Sequence, residues 1–173
     1  MRAERVRQMA DINKEALIKK DRLRFTKNKV SSTLIILSIV ANALYFVSIY
    51  RSDVGSYYYK IFIGASVVYN LVFMLAAFLA SEGVKNYKIS YAYVSIVLGV
   101  LQIARIFYLP KEAHETENPM VGFEGEMVMG NEQFTYVSVL LVISAALLVC
   151  AGIVGIMKTT TLRNYQAELD KKQ

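Results

Sequence analysis

The sequence has no tryptophan, two prolines, one cysteine and one histidine in 173 residues. Each shortage excludes something. A single cysteine, Cys150, rules out an intramolecular disulfide, and a lone thiol inside an apolar run is expected to act as a small buried hydrophobe. A single histidine, His114, rules out a two-histidine haem site. No carboxylate lies inside any long apolar run, so no nucleophile–base pair of the usual kind is present there. A phosphate-cradling glycine loop and a metal-hydrolase spacing are also missing. These gaps argue against an enzyme and call for no cofactor. No glycine or proline precedes Gly55, so nothing in the first 54 residues obliges a helix to break.

What is abundant is apolar sequence. Hydrophobic residues make up 55% of the chain, the mean hydropathy is +0.36, and the apolar residues come in blocks. A bilayer core about 30 Å thick is crossed by a helix of roughly 20 apolar residues. Four stretches qualify: 30–50, 61–80, 89–109 and 134–157. Together they leave no room for a second folded domain. The expected fold is an all-α membrane protein, a four-transmembrane-helix bundle with amphipathic helical extensions at both ends of the chain.

Charge is distributed unevenly around the spans. Residues 1–30 hold ten Lys or Arg against four acids, with none of the apolar core and small-residue cleavage site of a secretory signal. The first span therefore reads as a retained anchor. The connection "SEGVKNYK" contains Lys85 and Lys88, and the tail 158–173 contains Lys158, Arg163, Lys171 and Lys172. The loop 110–133 has Lys111 against Glu112, Glu115, Glu117, Glu124, Glu126 and Glu132. By the positive-inside rule both termini face the cytoplasm and the acidic loop faces out, with the plasma membrane as the expected location. Tyr50, Tyr57, Tyr58, Tyr59, Tyr108 and Tyr136 gather at the expected outer interface and Tyr87 and Tyr91 at the inner one, where amphipathic rings prefer to sit.

The basic segment 1–29 reads as helical, either continuous with the first span or separated from it by a fresh cap at Ser31, Ser32 and Thr33. Its weak apolar stripe (Val6, Met9, Ala16, Leu23) fits a helix held near anionic lipid headgroups, and is compatible with docking to a partner. In the tail, Leu162, Tyr165 and Leu169 recur at helical spacing. Nucleic acid is not an expected partner, because the basic residues lack interleaved aromatics.

Polar residues inside the spans are few and their depths agree. Asn42 lies eight residues before Tyr50, and Asn70 nine residues after Ile61. Gln102 and Ser144 fall within about two turns of the same level. Phase points them inward: Ser38, Ala41, Asn42 and Tyr45 share one face, and Ser66, Asn70, Phe73 and Ala77 another. Ser95, Gly99 and Gln102 line up on the third span, and Ser144, Ala151 and Gly155 on the fourth. Small residues let membrane helices approach and amides hydrogen-bond across them. The competing reading is a solute path, and neutral amides favour the structural one.

Arg105 is the one charge inside a span. Some 6 Å by helical rise separates it from the span's outer end, so its guanidinium is expected to snorkel to a charged rim and meet the acidic loop or Asp53. The sharper alternative is an anion-binding arginine pointing into the bundle. In the loop, "PMVGFEGEMVMGNEQ" suggests a hairpin around Glu124-Gly125. Met120, Met127, Met129 and His114 give a faint Cu(I) signal, read instead as methionines folding back on an apolar surface, with no metal site. No divalent-cation loop spacing occurs among the glutamates.

The resulting expectation is a non-enzymatic accessory or assembly subunit of a larger membrane complex, such as a transporter, with a protein partner in the membrane or self-association. The alternative is a small homo-oligomeric transporter or channel with Asn42, Asn70, Gln102 and Arg105 along its path.

Overall fold

A computed structural model describes residues 18, 21–22, 26–52, 54, 63–117 and 127–171. Four helices organise them: α1 Lys29–Tyr50, α2 Ile63–Lys85, α3 Ile89–Glu115 and α4 Asn131–Asp170. Each is long and apolar enough to cross a membrane. Among the described residues the extended pairing consists of one isolated antiparallel bridge, Glu117 to Met127. Asp53, Tyr57 to Tyr59, Met120, Glu124, Glu126, the hairpin tip and nearly all of the basic segment lie outside the described residues.

The helices form an up-down-up-down ring in which α1 and α3 each pack on both α2 and α4. Its two ends differ. At the terminal end α1 begins, α2 turns into α3, and α4 runs on. At the loop end lie the α1–α2 and α3–α4 connections.

The interior reverses the pattern of a water-soluble bundle. Large aliphatics such as Val40, Leu44, Leu71, Leu75, Val97, Val100, Val139 and Ile143 point outward, while Ser31, Ser38, Asn42, Ser66, Asn70, Ser95, Gln102 and Ser144 are buried. Only 33–39% of each apolar window is buried, so most of the hydrophobic side chains need an apolar surrounding that the chain itself does not supply. Small residues draw the helices together. A Cβ on Gly99 would meet the Ala145 carbonyl oxygen at 3.1 Å, and one on Gly152 the Ala92 carbonyl oxygen at 2.8 Å. That closeness lets Ser95 Oγ donate to the Leu148 carbonyl at 2.8 Å. Cys150, expected inside, is exposed on the outward face of α4, because Leu148, Ala151 and Gly152 take the inward positions.

Helix boundaries follow local chemistry. The basic segment does not run into the first span: Thr26 bends the chain and α1 starts afresh. Its cap is Asn28, not the Ser31–Thr33 triplet, with Oδ1 accepting from Ser31 N at 3.4 Å. The same Asn28 donates its backbone N–H to the Lys85 carbonyl at 3.0 Å and accepts from Lys158 Nζ at 3.2 Å. One residue thereby joins α1, α2 and α4. Between α2 and α3, Tyr87 has φ 56°, Lys88 N–H bonds Gly83 O at 3.0 Å and Tyr87 N–H bonds Val84 O at 3.1 Å. This is a Schellman closure with tyrosine where glycine is usual.

Pro110 was expected to end the third span, yet α3 passes through it to Glu115. Proline lacks an N–H, and the extension survives because its far end is held. Met129 N–H bonds Ala113 O and Val128 N–H bonds Thr116 O, both at 2.9 Å, and Ala113 and Met129 are fully buried. The fourth span likewise overruns its expected end, since α4 continues unbroken to Asp170, roughly 60 Å by helical rise. Leu162 and Leu169 are half-buried and Tyr165 is buried, its hydroxyl 3.5 Å from Asp21 Oδ1.

Candidate functional site

The buried polar layer draws one side chain or more from every helix. Antiparallel packing of α1 on α2 sets Asn42 beside Asn70, and α3 and α4 bring Gln102 and Ser144 to the same level. Gln102 Nε2 donates to Asn42 Oδ1 at 3.0 Å and to Ser144 Oγ at 3.3 Å. Ser144 and Ser38 hydroxyls lie 2.8 Å apart, and Ser144 Oγ donates to the Ser38 carbonyl at 3.2 Å. Asn70 Nδ2 donates to the Ser66 carbonyl at 2.9 Å. Asn42, Asn70, Gln102 and Ser144 are all completely shielded.

Arg105 completes this layer, which corrects its expected place at the rim. Its exposure is 5%. Nη1 donates to Asn70 Oδ1 at 2.9 Å and to Asn42 Oδ1 at 3.2 Å. The guanidinium carbon sits 4.3 Å from the Tyr45 ring centre and 4.8 Å from that of Tyr69. Turning inward is physically reasonable because two carbonyl oxygens and two ring faces replace part of the lost hydration. Snorkelling would have exchanged these for water across a rim already closed by Leu109 and Ala113.

A guanidinium only donates, so its presence orders the network. Both asparagines must turn their oxygens toward it, and Gln102 must then offer its N–H to Asn42. The direct Asn42–Asn70 contact is left at 3.5 Å, the limit of a hydrogen bond, while among the described residues Gln102 Oε1 and Arg105 Nε have no partner. Among the described residues the Tyr45 and Tyr50 hydroxyls and Ser138 Oγ are also buried without partners. No carboxylate among the described residues pairs with Arg105. Glu112, Glu115, Glu117 and Glu132 are exposed, and Glu115 instead lies 3.7 Å from Lys111.

Beside the layer is a groove of about 340 Å³ between the loop-end halves of α2 and α3. Ala65, Ser66 and Tyr69 form one wall, and Leu101, Ala104, Arg105, Tyr108 and Leu109 the other. Ala65, Leu101, Ala104 and Tyr108 are exposed, so the groove opens on the outward face of the bundle. Toward the terminal end Ile35, Phe73, Ala77, Leu98, Leu148 and Ala151 form an apolar cluster, with the buried hydroxyls of Ser95, Ser32 and Ser81 set among it.

Among its described residues the loop end holds no comparable polar cluster. His114 stacks on Phe134 with centroids 4.6 Å apart, and its Nδ1 lies 3.0 Å from the Met129 carbonyl. Met129 is buried and Met127 exposed. Among the described residues no three His, Cys, Asp or Glu side chains converge. Sequence reasoning missed Tyr69 and the role of Tyr45. The available signal was position, since Tyr69 adjoins Asn70 and Tyr45 lies one turn beyond Asn42.

With this geometry in view, likeness to known proteins offers no guide. No family model, curated protein or solved structure matches the chain. Function must be argued from the site.

Proposed function

We propose that this chain is a non-enzymatic, four-span integral membrane protein that serves as an accessory or assembly subunit of a larger membrane complex. Both termini, the tail of α4 and the basic segment lie in the cytoplasm, and the basic residues there contact anionic headgroups. One observation carries the reading: Arg105 is buried beside an outward-opening apolar groove, with no carboxylate paired to it among the described residues. Charges within membrane spans are rare and ordinarily matched. A counter-charge not found among the described residues, at a face open to an apolar surrounding, is in this reading supplied by a partner.

The alternative, a solute path along the polar layer, finds less support. Asn42, Asn70, Gln102 and Ser144 are fully shielded, and the buried hydroxyls nearer the terminal end are already bonded within the bundle, Ser95 to the Leu148 carbonyl and Ser32 to Ser81, among the apolar side chains of Ile35, Phe73 and Leu148. The deciding experiment is purification of the tagged protein from its native membranes in mild detergent. A stoichiometric, unlike membrane protein supports the subunit reading. A homo-oligomer that conducts a solute in vesicles overturns it in favour of a small transporter, and a monomer with no companion removes it altogether.

A further inference from the structure

We infer that the α2–α3 groove is the seat of a partner's transmembrane helix, and that this helix presents an aspartate or glutamate to Arg105. The inference rests on the subunit reading and adds the chemistry of the contact. Three observations select this occupant.

The first is charge. Arg105 is 5% exposed, lines the groove, and among the described residues its Nε has no hydrogen-bond partner. Neutral carbonyls from Asn42 and Asn70 engage only Nη1. A carboxylate in the groove supplies the opposite charge that neither amide oxygen gives, and the planar guanidinium is the cation best suited to meet it.

The second is depth. The guanidinium is held by Asn42, eight residues from the loop end of α1, and by Asn70, seven residues from that of α2. That is about 10–12 Å below those ends by helical rise. Lipid headgroups stay at the interface, whereas a helix carries a carboxylate at whatever depth its sequence dictates.

The third is the relief of the rim. Gly64 and Ala65 on α2 and Ala104 on α3 are exposed small residues, in a surface otherwise built of Leu71, Val72, Leu75, Val97 and Val100. A Cβ on Gly64 would meet nothing within 4 Å, so this smallness answers no need of the bundle itself. Small residues are how one membrane helix admits another's backbone. The groove's 340 Å³ accommodates side chains of a helix lying along it.

The test uses the purified full chain in phosphatidylcholine vesicles with a synthetic Leu-Ala helix of about 24 residues. The helix carries Glu, Gln or Leu about 12 Å from one end, and association is read by energy transfer between labels. The Glu helix is expected to associate at least about tenfold more tightly than the Leu helix, with Gln near Leu. Arg105→Leu should erase that preference. Because Arg105→Leu also disturbs the amide layer, Ala104→Phe provides a second variant, filling the groove while leaving every layer side chain in place. It should abolish Glu-helix binding with unfolding unchanged.

Equal binding of the Glu and Leu helices overturns the inference, as does a preference that survives both variants. Arg105-dependent binding of free dodecanoate without helix preference also overturns it, naming a lipid carboxylate as the occupant. The two proposals fail separately. A native partner that still co-purifies with Ala104→Phe leaves the subunit reading standing and removes the groove as its seat. Glu-helix selectivity without any native companion does the reverse.

Discussion

Replacing Asn42 and Asn70 by leucine, singly and together, distinguishes a layer centred on Arg105 from a simple pair of amides. Were the asparagines bonded mainly to each other, the first replacement would strand the second amide, and the double variant would be less unstable than the sum of the singles. The geometry reverses that sign. Both Oδ1 atoms are spent on Arg105 Nη1, at 2.9 and 3.2 Å, while the direct amide contact is 3.5 Å. Asn70→Leu removes the shorter charge-assisted bond, a loss of about 1.5–3 kcal/mol. Asn42→Leu removes the longer one, and Gln102 Nε2 falls back on Ser144, for about 1–2 kcal/mol. After either change the guanidinium still has one acceptor. After both it has only the rings of Tyr45 and Tyr69, so the double variant should exceed the sum by roughly 1–3 kcal/mol. Adding Arg105→Leu removes the stranded charge, and the triple variant should recover stability relative to the double. Reversible unfolding by SDS titration in mixed micelles measures all of these. Additive or sub-additive asparagine losses, or a triple variant weaker than the double, would refute the reasoning.

Arg105→Lys should lower stability by about 1–2 kcal/mol in the same assay, because an ammonium cannot stack its plane between Tyr45 and Tyr69 or bridge two oxygens as the guanidinium does; an unaltered unfolding midpoint would return Arg105 to a rim role. Gly152→Ala forces α3 and α4 apart at the Ala92 carbonyl and should destabilise by about 1–3 kcal/mol, whereas Gly64→Ala, with open space around it, should be neutral or slightly stabilising. Tyr87→Gly relieves a left-handed tyrosine and should add up to about 1 kcal/mol, read as a higher thermal midpoint. In a Cys150→Ser background, a cysteine at Asn131 should react with an impermeant maleimide on intact cells and one at Asn86 only after lysis; the opposite pattern inverts the orientation.

Much of the bundle was legible because membrane helices announce their inward faces by small and polar residues. Ser38, Ala41, Asn42 and Tyr45 share helical phase, and all four are buried. The same holds for Ser66, Asn70, Phe73 and Ala77 on α2. The common depth of Asn42, Asn70 and Gln102 followed from counting residues from the span ends. The direction of Arg105 was not legible, for two reasons. Pro110 looked like a helix end, so Arg105 was placed nearer water than it is; the backbone bonds from Val128 and Met129 that sustain α3 beyond it come from a segment far along the chain. The rings that flank the guanidinium come from two other helices, and cross-helix proximity at that resolution is set by packing, which periodicity alone does not encode. Cys150 was misplaced for a simpler reason: a lone thiol carries no phase information of its own.

The sharing of Arg105 between α1 and α2 has a consequence for the order in which the chain is made. In synthesis from the N-terminus the α1–α2 hairpin emerges first, and Asn42 and Asn70 are then two amide oxygens without their cation. Helix α3 brings an arginine, a residue that on its own enters a bilayer at a cost of about 2.5–3.5 kcal/mol, into a place where both acceptors are already waiting. Ser144, 106 residues after Ser38, arrives last and closes the layer, as Lys158 closes the cap at Asn28. On the membrane-spanning reading each helix thus prepares polar surroundings for a later one, and the α1–α2 hairpin offers the charged helix its acceptors.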